Sequence, residues 1–426
     1  MTAPTQPLSM QLLAGGPLAT FTRATRRHLL IPALVGLFLV LSFGWVSGAG
    51  DHASAGPPGT VADPAAAMSA AGWPADSAGS PAVLLPGAGV TGDRADAAMK
   101  AFDTAFYAVD DARGLFKATT SGQSWAPFWR TAELVETVED AYQHSGRPVY
   151  KRMVTELRRG VAGRFGADWT GRRKYNDDVM WMVLAFVRGY EITGDRAFLA
   201  VARRNFDAAY ARGWSGDFGG GLWWTTDRNE KNACVAGPAS IAAWHLYRDL
   251  GDASYLAKAK GSFAWLRQSL FDAQTGAVYD HVSHADGGGD VVDRTTYTYN
   301  QGTFIGAADL LYRTTGDAGY ADDARRALAF AQTHLCTPDG LLREEGIGRD
   351  GGGFKGIFAR YAVGFVARAG PATYTPWLAG NALAAWSHRD ARGLMGQDWS
   401  APTPSGMLHA FDASSAVVLL QLLRQP

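Results

Sequence analysis

Short glycine turns alternate with long aromatic loops from residue 93 to the end of the chain, and this alternation limits the possible folds more than any other feature. Five short connections share one design: Ser145-Gly146-Arg147-Pro148, Thr193-Gly194-Asp195, Leu250-Gly251-Asp252, Thr315-Gly316-Asp317 and Ala369-Gly370-Pro371. In each, Gly closes one helix in the left-handed conformation, and Asp caps or Pro opens the next. Tyr150, Phe198, Tyr255 and Tyr320 follow four of these turns, at intervals of 48, 57 and 65 residues. Such spacing is a helical-hairpin repeat with insertions.

Apolar periodicity predicts twelve helices, over 94–110, 130–144, 148–163, 177–192, 195–212, 230–250, 253–270, 299–315, 318–335, 354–369, 371–390 and 405–424, with no strand pattern between them. The odd members are amphipathic. The fifth places Phe198, Leu199, Ala202 and Phe206 on one face and Arg203, Arg204 and Asp207 elsewhere. The even members carry apolar runs, such as Val179 to Val187, that bury every side. Even helices therefore belong inside and odd helices outside. Six hairpins of that kind close into an all-α (α/α)6 barrel of six inner and six outer helices. In this barrel the long loops and the amino termini of the inner helices share one rim. Long loops on a rigid frame are where function usually sits.

The amino-terminal stretch reads differently. Residues 1–28 hold Arg23, Arg26 and Arg27 and no acidic residue, and a mostly apolar run of 18 residues follows, Leu29 to Val46. Positive charge before an apolar run predicts a cytoplasmic basic segment, then a signal anchor or signal-peptide core over 29–49. Arg26-Arg27 resembles a twin-arginine export signal, or is ordinary flanking charge. Residues 50–92, rich in Ala, Gly, Pro and Ser, read as a flexible linker before a domain at 93–426. The expected location is extracytoplasmic, either tethered to the membrane or secreted after cleavage. With 40 basic and 40 acidic residues, the chain offers no overall cationic excess for nucleic acid.

The rim carries aromatic and amide groups in sequence order. Trp125, Phe128 and Trp129 precede the second helix, and Tyr175-Asn176-Asp177-Asp178 precede the fourth. Gly219 to Trp224 and Asn229 to Asn232 precede the sixth, Tyr297 to Gly302 the eighth, and Gly351 to Gly356 the tenth. Trp399 precedes the twelfth, with His409 one turn inside it. Pyranose rings offer C–H faces to aromatic rings and hydroxyls to polar groups, so this set suits a sugar. More than half of the 49 aromatics are nonetheless expected in the core.

Glycosidic cleavage needs two carboxylates, and Asp177 and Asp178 are adjacent at a helix start. Taken alone, Asn176 as cap with two acids on the helix dipole would explain the triplet. Its place, opening the most apolar inner helix on the aromatic rim, favours chemistry. A helix amino terminus lowers carboxylate pKa values, whereas a general acid needs one raised. Mutual repulsion, with desolvation by Trp181 or Tyr175, would raise the second of the pair.

Five motifs in order resemble glycoside hydrolase family 76: Tyr175-Asn176-Asp177-Asp178-x-x-Trp181, Gly219 to Trp224, Lys231-Asn232-Ala233, Tyr299-Asn300-Gln301-Gly302, and Phe354-Lys355-Gly356-Ile357-Phe358-x-Arg360-Tyr361. The resemblance covers residues 95 to the end. It implies an (α/α)6 barrel and retaining endo-cleavage of α-1,6-mannan, with Asp177 as nucleophile and Asp178 as acid/base. It also implies a groove lined by Trp223, Trp224, Lys231, Asn232, Tyr299, Asn300, Gln301, Phe354 and Lys355, beside Trp125, Tyr175 and Trp181 from the rim. Cys234 and Pro238, inside the sixth helix, depart from the smooth pattern expected there. The implied partner is α-mannan polysaccharide or lipoglycan, met by a monomer that needs no cofactor. The alternatives are a mannan transglycosylase remodelling envelope glycans and a non-catalytic mannan-binding protein.

Cys234 and Cys336 are either a disulfide permitted by export or two buried thiols. Nine His residues without HExxH spacing give no metal site. Asp286 to Asp290 reads as a solvated loop rather than a calcium site. Gly348 to Lys355 lacks the spacing and the preceding strand of a nucleotide loop.

Overall fold

The computed structural model describes residue 87 and residues 89–425. The expected basic segment, the apolar run and nearly all of the linker lie outside the described residues. Among the described residues no helix is long and apolar enough to cross a membrane. The fold takes in Val90, fully buried, three residues ahead of the expected boundary.

Twelve α-helices form the body: α1 (Gly92–Phe106), α2 (Phe128–Ser145), α3 (Pro148–Phe165), α4 (Asn176–Thr193), α5 (Arg196–Gly213), α6 (Ala233–Leu250), α7 (Ala253–Ser269), α8 (Thr298–Thr315), α9 (Ala318–His334), α10 (Phe354–Arg368), α11 (Thr375–Ser387) and α12 (Ala410–Leu422). Each even helix packs on the next even helix, and α12 packs on α2 to close the ring. Each odd helix from α3 onward lies against the inner helix before it, and α1 lies against α12. The fold is an (α/α)6 barrel.

Turn chemistry accounts for the connections. Gly146, Gly194, Gly251 and Gly316 all take positive φ, and each amide donates to the carbonyl of a Tyr four residues back: Tyr142, Tyr190, Tyr247 and Tyr312. Asp195, Asp252 and Asp317 then accept from the second amide of the next helix, each at 2.9 Å. The fifth turn differs. Gly370 is absent from the positive-φ residues, and a 3-10 turn (Ala372–Tyr374) leads into α11.

Among the described residues seven short strands occur where none was expected. β1 (Val90–Thr91) pairs in parallel with β7 (Arg424–Gln425), joining the two ends of the barrel. β2 (Tyr107–Asp110) and β3 (Arg113–Phe116) form a hairpin, and β4 (Glu230–Asn232), β5 (His281–His284) and β6 (Asp290–Asp293) form a rim sheet. Strand β4 takes the residues assigned to the start of the sixth helix. His409 is the cap of α12 rather than a residue inside it. Despite Pro238, α6 continues unbroken, and the Cys234 carbonyl four residues back loses its helical donor.

Gly302 marks the close approach of α8 to α10, where a methyl group would lie 2.5 Å from Phe358 Cα. Gly302→Ala is expected to overpack this contact and cost about 1–3 kcal/mol. The denaturant midpoint checks it.

Candidate active site

Helix α4 opens on the rim, and its first turn is fixed by a neighbouring loop. The Asn176 amide donates to Trp224 O at 2.7 Å, and its side-chain Nδ2 donates to Trp223 O at 2.7 Å. Arg212 Nε donates to Asn176 Oδ1 at 2.7 Å, while its Nη1 holds Thr170 O. Asn176 therefore serves as a tether rather than a cap, and the cap position belongs to Tyr175. The aspartates that follow inherit a fixed orientation.

Asp177 and Asp178 keep part of their surface open, yet protein atoms crowd both. Burial raises the Asp177 carboxyl to about 6, opposed by the Trp224 indole, the amides of the first turn and Cys234. Burial likewise raises Asp178 to about 7, helped by the charges of Asp177 and Asp350 and opposed by Arg173. Two coupled carboxyls with staggered pKa values are the equipment of a nucleophile and a general acid. The expected conflict with the helix dipole is thus settled by desolvation, which outweighs the amides.

Cys234 Sγ lies 3.5 Å from Asp177 Oδ2, and the Tyr299 side chain bonds the same sulfur. Because the thiol stabilises the carboxylate form, Cys234→Ala is expected to raise the Asp177 pKa. The acidic limb of kcat/KM then moves to higher pH, while Cys234→Ser leaves it near the parent position. A merely structural thiol would leave the limb unmoved in both. Cys234 and Cys336 are both free thiols.

An aromatic arc borders the pair. Trp181, one turn beyond the aspartates, sits 6.5 Å from Trp129 and 6.3 Å from Tyr299. Tyr299 stacks on Phe354 at 3.8 Å, and Trp129 meets Phe411 edge-on at 4.8 Å. Across the pair, Tyr175 lies 5.0 Å from Trp224. Trp181, Tyr299 and Phe354 are buried and form a floor, whereas Trp129, Tyr175 and Trp224 retain exposed surface.

A polar wall adjoins the floor. Asn300 Nδ2 donates to Asp280 Oδ1 at 3.1 Å, Asp280 Oδ2 lies 3.0 Å from His281 Nδ1, and His281 Nε2 lies 3.4 Å from Glu230 Oε2. Asn232 and Asn300 each keep a buried Oδ1 without a partner. Among the described residues, no three His, Cys, Asp or Glu side chains gather as metal ligands would.

Several expected groove residues serve the frame instead. Lys231 is fully buried, and its ammonium donates to Ser215 O, Ser215 Oγ, Asp217 O and Gly220 O at 2.6–3.1 Å. All its protons are spent holding the glycine loop. Gln301 donates to Gly276 O and Ala327 O and accepts from Val278 N, bracing another loop. Lys355, also fully buried, donates to Leu342 O and Gln397 O with its Nζ 3.9 Å over the Trp399 ring, and burial lowers it to about 7. Trp223 turns inward beneath Lys231 Nζ, 4.7 Å away. Trp125 is held by a bridge to Lys117 and makes no ring contact among the described residues. Trp129 takes the place expected of it, with its indole N–H donating to Asp350 at 3.1 Å.

Known proteins share this fold. The model for glycosyl hydrolase family 76 matches residues 91–424. An α-1,6-mannanase of Salegentibacter sp. HEL1_6 shares 31% identity and superposes with a TM-score of 0.71, over 78% of this chain and 98% of that one. An inactive variant of that enzyme, with two consecutive aspartates replaced by alanine, is known in complex with α-1,6-mannotetrose. A protein of Listeria innocua shares 28% identity, with a TM-score of 0.70 over 78% of this chain and 96% of its own. No curated protein matches the sequence. With a family model spanning nearly the whole barrel and a carboxylate pair at its mouth, the chain belongs to glycosyl hydrolase family 76.

Proposed function

We propose that the chain is an exported, retaining endo-α-1,6-mannanase that works as a monomer by double displacement. The observation that carries this reading is the Asp177–Asp178 pair: two carboxyls raised to about 6 and about 7 on the first turn of α4, beside an aromatic floor. Asp177 ionises first and attacks the anomeric carbon. Asp178, still protonated, donates to the departing glycosidic oxygen and then takes a proton from the water that releases the mannosyl-enzyme. The Salegentibacter mannanase supports the substrate class, since its aspartate variants hold α-1,6-mannotetrose and α-1,6-mannotriose.

Location follows from Arg23, Arg26 and Arg27 before the apolar run of 29–46, which fit a tether at the outer membrane face or a cleaved signal. The partner is then α-mannan polysaccharide or lipoglycan. Product analysis on linear α-1,6-mannooligosaccharides tests the activity. Internal cleavage to shorter oligomers is expected. Lengthened products would make the chain a transglycosylase, and binding without any cleavage would make it a mannan receptor.

A further inference from the structure

The charge of the chain is balanced, but it is not evenly spread. Outside α4, residues 147–212 carry thirteen Lys or Arg and four Asp or Glu. These residues build one continuous wall of the barrel: α3, the loop to α4, and α5. Arg158 pairs with Asp195 at 3.2 Å, and Asn205 on α5 accepts from the Trp169 amide at 2.8 Å, so the two outer helices lie side by side.

The four acids of the wall are already engaged. Glu156 accepts from Tyr107 Oη and pairs with Arg152. Asp168 accepts from the Gly171 amide and Thr170. Asp195 caps α5 and pairs with Arg158. Asp207 accepts from Tyr255 Oη and pairs with Lys258 and Arg203. Lys151, Arg159 and Arg196 are exposed and have no acidic partner among the described residues. On α5, Arg196, Arg203 and Arg204 recur at a spacing that puts them on one outward face, and they line a groove with Leu199 and Ala200, which Asp207 and Asp249 also border.

The wall connects two ends of the molecule. Outer helices begin at the end of the barrel opposite the active-site rim. Arg147, at the start of α3, pairs at 2.8 Å with Asp96 in α1, and Arg424 of β7 pairs with the same Asp96 at 2.9 Å. The chain therefore enters the fold beside the foot of this wall. At the other end, Arg172, Arg173 and Lys174 stand just ahead of Asp177. Eighteen residues of α3 span the distance between, about 27 Å at 1.5 Å per residue.

We propose that the α3–α5 wall is a docking surface for an anionic lipid membrane. With the wall lying on phosphate headgroups, the active-site mouth comes down to the membrane plane at the same time. Each cation held near an anionic surface adds to the attraction of its phosphates, so three unpaired cations are enough for measurable association. The inference rests on the membrane-proximal location proposed above, and the test is arranged so that the two fail separately.

The barrel alone, residues 87–426, is the object to use, since the Salegentibacter enzyme is matched over 98% of its length by this same body. It is sedimented with vesicles of phosphatidylcholine, with or without about 30% phosphatidylglycerol. At least tenfold stronger partition to the anionic vesicles is expected, weakening as NaCl rises. A Lys151→Glu/Arg159→Glu/Arg196→Glu variant is expected to lose that preference while cleaving soluble mannooligosaccharides at the parent rate. Equal partition to both vesicles, or retained preference in the triple variant, overturns the proposal. So does release by low-millimolar inorganic phosphate that matched NaCl does not reproduce, because it would reveal a single phosphate site. A cleaved signal would remove the tether and leave these results unchanged.

Discussion

Asp177→Asn and Asp178→Asn are each expected to cut turnover of α-1,6-mannooligosaccharides by at least about 10³-fold, the range that acid–base and nucleophilic groups supply. The double variant is expected to be little worse than either single one, because the pair acts as a unit. Activity within about tenfold of the parent would remove the pair from the mechanism. In the parent, kcat/KM should follow a bell with limbs near 6 and 7, values that belong to the pair rather than to either residue. The same variants carry a stability signature of opposite sign. Both carboxyls are raised from 3.8 in the fold, so the fold disfavours their ionisation. The resulting cost is absent below about 4, grows as pH rises, and is complete above about 7. The Asn variants should therefore unfold at higher temperature than the parent at pH 8 and at the same temperature near pH 3.5. Lost activity with gained stability separates a catalytic role from a structural one.

The second large effect lies inside the ring, away from the mouth. Arg360 on α10 reaches Glu133 and Glu136 on α2 at 2.8 Å and Asp140 at 2.9 Å. Arg188 on α4 reaches Asp140 at 2.6 Å and Glu136 at 3.2 Å. Four buried carboxyls, with Glu139, thus face two guanidiniums. Burial pushes Glu133 up to about 8 and Glu139 well above its ordinary value. Burial acts on Asp140 too, but Arg360 and Arg188 outweigh it and hold this carboxyl low. Arg360→Leu leaves uncompensated charge and is expected to cost about 3–5 kcal/mol in urea unfolding. Glu133→Gln copies the protonated form and should be at least as stable as the parent at pH 7. Because Glu133 is raised from 4.5 to about 8, the parent loses stability as pH climbs from about 4.5 to about 8, and Glu133→Gln should blunt that loss. An Arg360→Leu variant as stable as the parent would contradict this account.

Backbone chemistry and apolar runs made the barrel legible. The glycine turns and the Asp caps act locally, so their meaning survives in a single sequence. The run Val179 to Val187 has one physical use, burial on all sides. The strands were not legible, because Glu230–Asn232 and His281–His284 are too short and polar to show a period of two.

The aspartate pair was legible because it combined an unusual doublet with a rim position. Lys231 and Lys355 misled for a general reason: lysine is rarely fully buried, so a lysine in a loop motif reads as a ligand-binding group. Here each ties down carbonyl oxygens. The contact of Cys234 with Asp177 required three dimensions, since a separation of 57 positions hides it. Glu133, Glu136 and Asp140 sit on an inner helix, and the sequence hides what balances them, since Arg188 and Arg360 lie 48 and 220 positions from Asp140.

The anomeric form of the first product tests the central claim most directly. Linear α-1,6-mannooligosaccharide, incubated with the protein and followed by proton NMR before mutarotation, should release the new reducing end as the α-anomer. Early appearance of the β-anomer would mean a single inverting displacement and would contradict a mechanism in which Asp177 forms the mannosyl-enzyme and Asp178 serves first as acid and then as base.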